Sequence, residues 1–336
     1  MRNHASKLAA SSALLLGLAA QANADIKLND NITFSGYAAG AYMNYKPSPG
    51  ASVDSLFDAS KPIPGGGDSN DVLTKFTMNF KPVTGVISFN YFPNLPTSEF
   101  TALDVYVTYD AGDGVTITGG KFLSYMGYES FYPANMDQIS YADGDFLGAI
   151  PGYHTGVKVD YADKTMGVGA AILDSAYSPF GGTRGDGELT HNAGVEAYYT
   201  FTGVTDLTLW AGFAYDTKGG FEPHSVATFD VWGSYNVSKA LRVAAEYVTK
   251  DGGPGAKGDD WILFGNYTFS DKVSSTFRVS GEKMKSGGPG FTKYTICPAY
   301  ALNANLSVRA EYSYYKYTKY TAKDASFFGV QAIFKF

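Results

Sequence analysis

The stretch "LSVRAEY" (Leu306–Tyr312) alternates strictly between apolar and polar residues. Successive side chains of a β-strand point to opposite faces of a sheet, so this period of two predicts a strand with one apolar and one charged face. The same alternation recurs along the chain, in "LDVYVTY" (Leu103–Tyr109), "GVKVDY" (Gly156–Tyr161) and "STFRVSGE" (Ser275–Glu282). The sequence therefore predicts an all-β protein.

Sixteen strands are expected from this pattern, at residues 32–45, 72–80, 85–93, 101–110, 115–122, 152–162, 164–174, 191–201, 206–216, 225–237, 240–250, 260–269, 272–284, 291–302, 304–318 and 324–336. Links after even-numbered strands are short, such as "AGDG" (Ala111–Gly114), whereas links after odd-numbered strands are mostly longer and rich in glycine. An even strand count, with short turns at one rim and longer loops at the other, is typical of a transmembrane up-and-down antiparallel β-barrel.

The distribution of charge indicates which face of the sheet meets lipid. Acidic and basic residues gather on one face of the predicted strands, and almost none fall on the apolar face. Closing the sheet satisfies every backbone N–H and C=O group, which strands in hydrocarbon require. We therefore expect the apolar face to contact the bilayer and the charged face to line a water-filled lumen.

The N-terminal residues Met1–Ala24 have the layout of a secretory signal peptide. Arg2 and Lys7 precede an apolar stretch, which ends near "ANA" (Ala22–Ala24). We expect this segment to direct export. The residues that follow it, 25–336, are expected to form a single barrel domain. No other stretch approaches the roughly 18 consecutive apolar residues that a membrane-spanning helix needs.

Composition excludes several classes of function. Loss of Arg2 and Lys7 with the signal peptide would take the formal net charge from −6 to about −8, which argues against nucleic acid as a partner. The single Cys297 cannot form a disulfide within the chain, and four histidines argue against a His-rich metal cluster. The sequence has no Gly-x-Ser-x-Gly motif, so we expect neither an enzyme nor a cofactor.

The predicted closing strand "FFGVQAIFKF" (Phe327–Phe336) ends on a phenylalanine, and its apolar face carries Phe328, Val330, Ala332, Phe334 and Phe336. At an open sheet edge such a strand would promote aggregation. We expect it to pair with "ITFSGYAAGAY" (Ile32–Tyr42) and close the barrel. A terminal Phe after alternating apolar residues also resembles the insertion signal that the barrel-assembly machinery recognises, which makes Phe336 a candidate assembly signal.

The longest link, "LSYMGYESFYPANMDQISYADGDFLGAIP" (Leu123–Pro151), follows the fifth strand. The strand end "GKF" before it, a Gly-Tyr-Glu, an Asn a few residues on and a "TGV" step after it resemble the OmpL-like putative β-barrel porin family of bacterial outer membranes. This resemblance covers roughly Gly119–Tyr161 and implies a porin without indicating its solute. In general porins the loop at this position folds inward and narrows the pore, and we expect the same here.

An inward loop would bring four carboxylates into the lumen, those of Glu129, Asp137, Asp143 and Asp145. The residues expected on the pore wall are Arg242, Arg278, Lys293, Arg309, Lys158 and His154. An acidic loop opposite a basic wall predicts a transverse field across the constriction. The alternative is that the arginines pair with Glu246, Glu282 and Glu311 and only hold the wall together. The aromatic residues of the loop are expected to pack against the wall, with stacking of sugars as the alternative.

These features predict a Gram-negative outer-membrane porin that passes small hydrophilic solutes or ions by diffusion, with a homotrimer as one possible assembly. A substrate-specific channel and a plugged structural or adhesive barrel without conductance are the alternatives. A barrel hydrolase that depends on His154 is the alternative from another class. Pro298 lies inside the fourteenth predicted strand, where we expect a bulge or a misplaced strand boundary.

Overall fold

A computed structural model of the chain describes residues 25–56, 70–91, 100–142, 147–177, 193–217, 224–285 and 287–336. The predicted signal peptide, residues 1–24, lies outside the described residues and stays a prediction. Within the described ranges, no helix is long and apolar enough to cross a membrane.

Sixteen long strands form the fold, and we number them β1 to β16 in chain order. Their bounds are Ile32–Ser48, Asn70–Phe80, Val83–Tyr91, Phe100–Gly112, Val115–Leu123, Tyr153–Ala162, Met166–Leu173, Gly194–Phe201, Leu207–Asp216, Val226–Asn236, Leu241–Asp251, Lys257–Thr268, Val273–Met284, Gly290–Ala301, Leu306–Thr318 and Asp324–Lys335. Two short strands, Ile26–Lys27 and Val53–Leu56, pair with β1, and a 3-10 turn spans Pro133–Asn135. Each long strand overlaps one of the sixteen predicted from the sequence.

The sheet closes on itself. Neighbouring strands pair antiparallel in chain order, and β16 pairs with β1 in a register that places Phe334 opposite Ala38. At the chain end, the Gly36 N–H donates to the Phe336 carbonyl at 2.7 Å, and the Phe336 N–H donates to the Gly36 carbonyl at 3.0 Å. The prediction of a closed antiparallel barrel of sixteen strands, sealed by the last strand on the first, is confirmed.

Burial alternates along the strands as the sequence pattern predicts. In β13, Phe277 is 49 % exposed, whereas the next residue, Arg278, is 1 % exposed. In β15, Tyr312 is 49 % exposed and the preceding Glu311 is 1 % exposed. The exposed apolar face therefore lies outside the barrel, and the charged face lies inside.

The two rims of the barrel differ. Even-numbered strands end at short turns, such as residues 81–82 and 113–114, and we call this end the short-turn rim. Odd-numbered strands end at the long-loop rim, where the longest link covers residues 124–152. The predicted alternation between short and long links is therefore present.

The expectation for Pro298 is wrong. β14 spans Gly290–Ala301, and its register with β13 runs without a shift through Ser275 opposite Pro298. On the other side, Ile296 pairs with Tyr312 and Ala299 pairs with Arg309, so the register with β15 is the same before and after the proline. Because proline has no N–H group, the ladder is interrupted locally while the strand continues.

Leu263 tests the outward face, since it lies at the centre of β12 and is 57 % exposed. We expect Leu263→Arg to lower the free energy of unfolding in lipid vesicles by about 2–4 kcal/mol, because a cation at the bilayer midplane loses its hydration. The matched control is Phe269→Arg at the short-turn rim, which should cost at most about 1 kcal/mol. Equal costs in urea titrations of the two variants would contradict the assigned bilayer position.

Candidate functional site

The link between β5 and β6, residues 124–152, contacts the charged inner face of the barrel, and we call it the β5–β6 segment. Its described parts form hydrogen bonds with side chains of β4, β8, β10, β11, β13, β14 and β15. Two of the residues predicted for the constriction, Asp143 and Asp145, lie outside the described residues.

Carboxylates of the barrel wall accept hydrogen bonds from backbone N–H groups of the segment. The pairs are Tyr125 to Glu196 at 3.2 Å, Gly127 to Asp230 at 2.9 Å, Tyr128 to Glu246 at 2.5 Å, Ile139 and Ser140 to Glu311 at 2.6 and 2.9 Å, and Leu147 to Glu282 at 3.1 Å. Hydrogen bonds to a charged partner contribute about 1.5–3 kcal/mol each. This row of carboxylates therefore fixes the path of the segment.

Cations of the wall donate to backbone carbonyls of the same segment. The pairs are Arg278 to Ser140 at 2.8 Å, Lys293 to Tyr141 at 2.7 Å, Arg309 to Met136 at 2.5 Å and to Pro133 at 3.0 Å, and Lys250 to Leu147 and Gly148 at 3.2 and 3.0 Å. The wall thus binds both the N–H and the C=O groups of a segment that has no strand partner. Backbone without regular structure is buried only when its polar groups are satisfied in this way.

Glu129 of the segment forms an ion pair with Arg278 of β13. The two side chains are 6 % and 0 % exposed. The Glu129 carboxylate also accepts hydrogen bonds from the Gln138 side chain at 2.6 Å and from the Ala142 N–H at 2.7 Å. This pair is therefore buried and joins the segment to the wall.

Asp137 forms a second ion pair, with Arg242 of β11. The Asp137 and Arg242 side chains are 27 % and 14 % exposed. The Arg242 guanidinium also lies over the Phe264 ring, 5.4 Å from its centroid, and the Thr276 hydroxyl donates to the Asp137 carbonyl at 3.2 Å. Unlike the first pair, this pair has access to solvent.

Lys158 and His154, the remaining residues predicted for the pore wall, lie on β6. The Lys158 Nζ is 3.9 Å from Asp160 Oδ2 and 4.7 Å from the centroid of the Tyr125 ring. His154 is 2 % exposed, with its Nε2 3.7 Å from Glu196 Oε2. Since Glu196 also accepts the Ser124 hydroxyl at 2.7 Å, His154 lies behind the start of the β5–β6 segment.

Three aromatic side chains form a stack on the inner face. The rings of Tyr198 and Trp210 are 6.3 Å apart, and those of Trp210 and Trp232 are 5.9 Å apart, with interplanar angles of 11° and 9°. Tyr125 packs on Tyr198 at 4.5 Å and Tyr128 on Trp232 at 5.5 Å, so the segment covers the stack. Burial raises the pKa of Tyr128 to about 12, so its phenol stays neutral.

Two features of this site escaped the sequence reasoning. Alternation places the wall carboxylates on the inner face, but their role as acceptors for segment N–H groups depends on a chain path that alternation does not define. The stack of Tyr198, Trp210 and Trp232 depends on register, since Trp210 lies directly opposite Trp232 across β9 and β10. Alternation along β9 and β10 places both tryptophans on the inner face, and this is the signal that the sequence carries.

Comparison with protein families gives one match over most of the chain. The family described as putative beta-barrel porin-2, OmpL-like, matches residues 69–336. The chain belongs to this family. The resemblance deduced from residues around Gly119–Tyr161 is thereby confirmed, and no curated protein sequence matches the chain.

Solved structures of other outer-membrane proteins share this fold. An anion-selective porin from Comamonas acidovorans aligns with a TM-score of 0.65 at 12 % identity, covering 91 % of this chain and 99 % of that chain. The outer membrane channel DcaP of Acinetobacter baumannii aligns at 0.63 and 13 %, covering 93 % and 99 %. A loop-deletion mutant of OmpT from Vibrio cholerae aligns at 0.62 and 15 %, covering 91 % and 100 %. At these identities the likeness shows the fold alone.

Family and fold together identify an outer-membrane porin, located in the bacterial outer membrane. Both point to a channel rather than an enzyme.

Arg278 provides a test of the buried contacts. We expect Arg278→Met to lower the free energy of unfolding by about 3 kcal/mol, because it removes the cation that pairs with the buried Glu129 carboxylate and the donor to the Ser140 carbonyl. The matched control is Lys257→Met, which removes an exposed pair with Asp251 and should cost less than about 1 kcal/mol. Urea unfolding in vesicles measures both, and equal costs would contradict the role of Arg278 as an anchor.

Proposed function

We propose that this porin passes small hydrophilic solutes or ions by diffusion through a lumen that the β5–β6 segment crosses and narrows. The observation that carries the proposal is the set of hydrogen bonds between this segment and inner-face side chains on strands far apart around the barrel. Tyr132 reaches Asp104 of β4 at 3.3 Å, while Arg309 of β15 reaches Pro133. A segment bonded to both β4 and β15 supports an inward path.

The same contacts favour a constriction where opposite charges face each other. Asp137 and Arg242 are partly exposed and paired, and Lys158 and Asp160 are partly exposed 3.9 Å apart on β6. Solutes that pass such a site would experience a field between fixed charges of both signs. Since each of these acids has a nearby cation, we infer a weak preference between anions and cations.

One observation favours the second candidate, a barrel plugged by its own segment. Arg278 and Lys293 are 1 % and 0 % exposed, so the segment covers this part of the wall completely. A plugged barrel would give no steps of current in a planar bilayer, whereas the proposed porin gives regular steps in symmetric salt.

Several expectations stay predictions. These are homotrimeric assembly, recognition of Phe336 by the barrel-assembly machinery, the absence of enzyme activity and of a cofactor, and a single domain over residues 25–336 after a cleaved signal peptide.

Asn135 tests whether the segment lines the passage, because it is partly exposed on the segment. We expect the single-channel current of Asn135→Cys to fall on treatment with a charged methanethiosulfonate reagent, since the attached group would narrow the constriction. The wild-type chain is the control, because its only thiol, Cys297, is buried. An unchanged current after complete labelling would place the segment away from the passage.

Neutralising the acids tests the charge balance. We expect Glu129→Gln with Asp137→Asn to shift reversal potentials in a salt gradient towards anion permeability, because Arg278 and Arg242 lose their counter-charges. Adding Asp143→Asn and Asp145→Asn should extend the shift. The control removes two acids at the short-turn rim, Asp163→Asn with Asp271→Asn. Unchanged reversal potentials in both the double variant of Glu129 and Asp137 and the quadruple variant would contradict the proposed field.

A further inference from the structure

Five exposed lysines gather at the long-loop rim between β13 and β1. Lys283, Lys316 and Lys46 lie at the ends of β13, β15 and β1, and Lys319 and Lys323 lie in the link between β15 and β16. The first three share the outward parity of the exposed residues Phe277, Tyr312 and Phe328. Their ammonium groups therefore belong to the outer surface of the barrel and not to its lumen.

The register places Lys283, Lys316 and Lys46 at about one depth. Residues that pair from one strand to the next form a register line around the barrel. The line that starts at Phe34, near the short-turn rim of β1, reaches Thr155 at the beginning of β6, which lies at the long-loop rim. Register lines therefore rise towards the long-loop rim as the strand number increases. The strands of any closed barrel tilt in this way.

We call Lys283, Lys316 and Lys46 the lysine row. Each successive lysine of the row is displaced by two residues towards the short-turn rim, which compensates for the rise of the register lines. The line from Lys283 leads to Thr318, and Lys316 lies two residues nearer the short-turn rim. The line from Lys316 leads to Ser48, and Lys46 again lies two residues nearer. With a strand spacing near 4.8 Å, neighbouring lysines in this row are about 12 Å apart.

Two lysines near this row form ion pairs. Lys257 pairs with Asp251 at 2.5 Å, and Lys285 pairs with Asp259 at 2.7 Å, on the adjacent strands β11 and β12. Across the described ranges of the chain, the side chains of Lys46, Lys283 and Lys316 form neither an ion pair nor a hydrogen bond. Two acidic residues lie beside these lysines: Asp324 is the register partner of Lys316, and Asp54 is the register partner of Asn44, two residues before Lys46. Together they offset at most two of the five positive charges.

We propose that this row binds the phosphate groups of a phosphorylated glycolipid in the outer leaflet of the outer membrane. The long-loop rim of a bacterial barrel faces the cell exterior, so the row lies at the level of lipid head groups in that leaflet. Lysines near a membrane surface attract anionic head groups individually, and a row at one depth addresses several phosphates together. The three lysines and their spacing define a lipid-binding surface on β13 to β1.

The test compares Lys46→Gln, Lys283→Gln and Lys316→Gln combined in one chain with a matched control. The control is Lys81→Gln, Lys239→Gln and Lys272→Gln, which removes three exposed lysines from the short-turn rim and makes the same change in net charge. The probe is bis-phosphorylated lipid A added to the purified porin in a neutral detergent, with binding measured by native mass spectrometry. Single-channel currents of both variants confirm that each barrel has folded.

We expect the row variant to bind the lipid at least tenfold more weakly than wild type, and the control variant to bind it like wild type. A chain with arginine at the same three positions should retain binding. Wild type should bind dephosphorylated lipid A weakly, with the same affinity that the row variant has for bis-phosphorylated lipid A. Inorganic phosphate at the same concentration as the lipid should not compete for binding. Equal binding by the row variant and wild type would overturn the proposal, as would equal binding of the two lipids to wild type. Both outcomes leave the porin function itself untouched.

Discussion

Hydrocarbon offers no hydrogen-bond partners to a peptide backbone, and this constraint governs the whole molecule. Strands satisfy it only when each has two neighbours, so the pairing of β16 with β1 is as important as any pairing along the chain. Once the sheet is closed, every strand has an outer and an inner face. The side chains match these two faces, since the apolar Tyr312 faces outward and the neighbouring Glu311 faces inward. The terminal residue takes part as well, since the Phe336 main chain completes the seam with Gly36.

The β5–β6 segment faces the same constraint without a strand partner. Its N–H and C=O groups are bound instead by charged side chains of the wall, with Glu311 accepting and Arg278 donating. The charges of the inner face hold the segment, as the burial of Arg278 beside Glu129 shows. In the proposed porin they have a second role, because the partly exposed pair of Asp137 and Arg242 would line the passage.

Sequence alone predicted the strands well because their pattern is local. Stretches such as Leu306–Tyr312 carry a period of two that no other regular structure shares. The site was less accessible, since the partner of Glu129 depends on a path across the barrel that covers many residues without periodicity. Register was equally hidden, so the stack of Trp210 on Trp232 could not be deduced. The prediction for Pro298 is wrong because its missing N–H interrupts the ladder locally without ending the strand.

The way the wall holds the β5–β6 segment has a consequence for evolution. Most of the hydrogen bonds from the wall are made to peptide groups, which every residue type except proline presents in full, and side chains such as Glu129 and Asp137 make the others. Mutations that replace side chains such as Asn135 therefore leave intact the hydrogen bonds that Glu246, Glu311 and Lys293 form with the backbone of the segment. Natural selection can therefore change the side chains that the segment presents while the architecture is inherited unchanged.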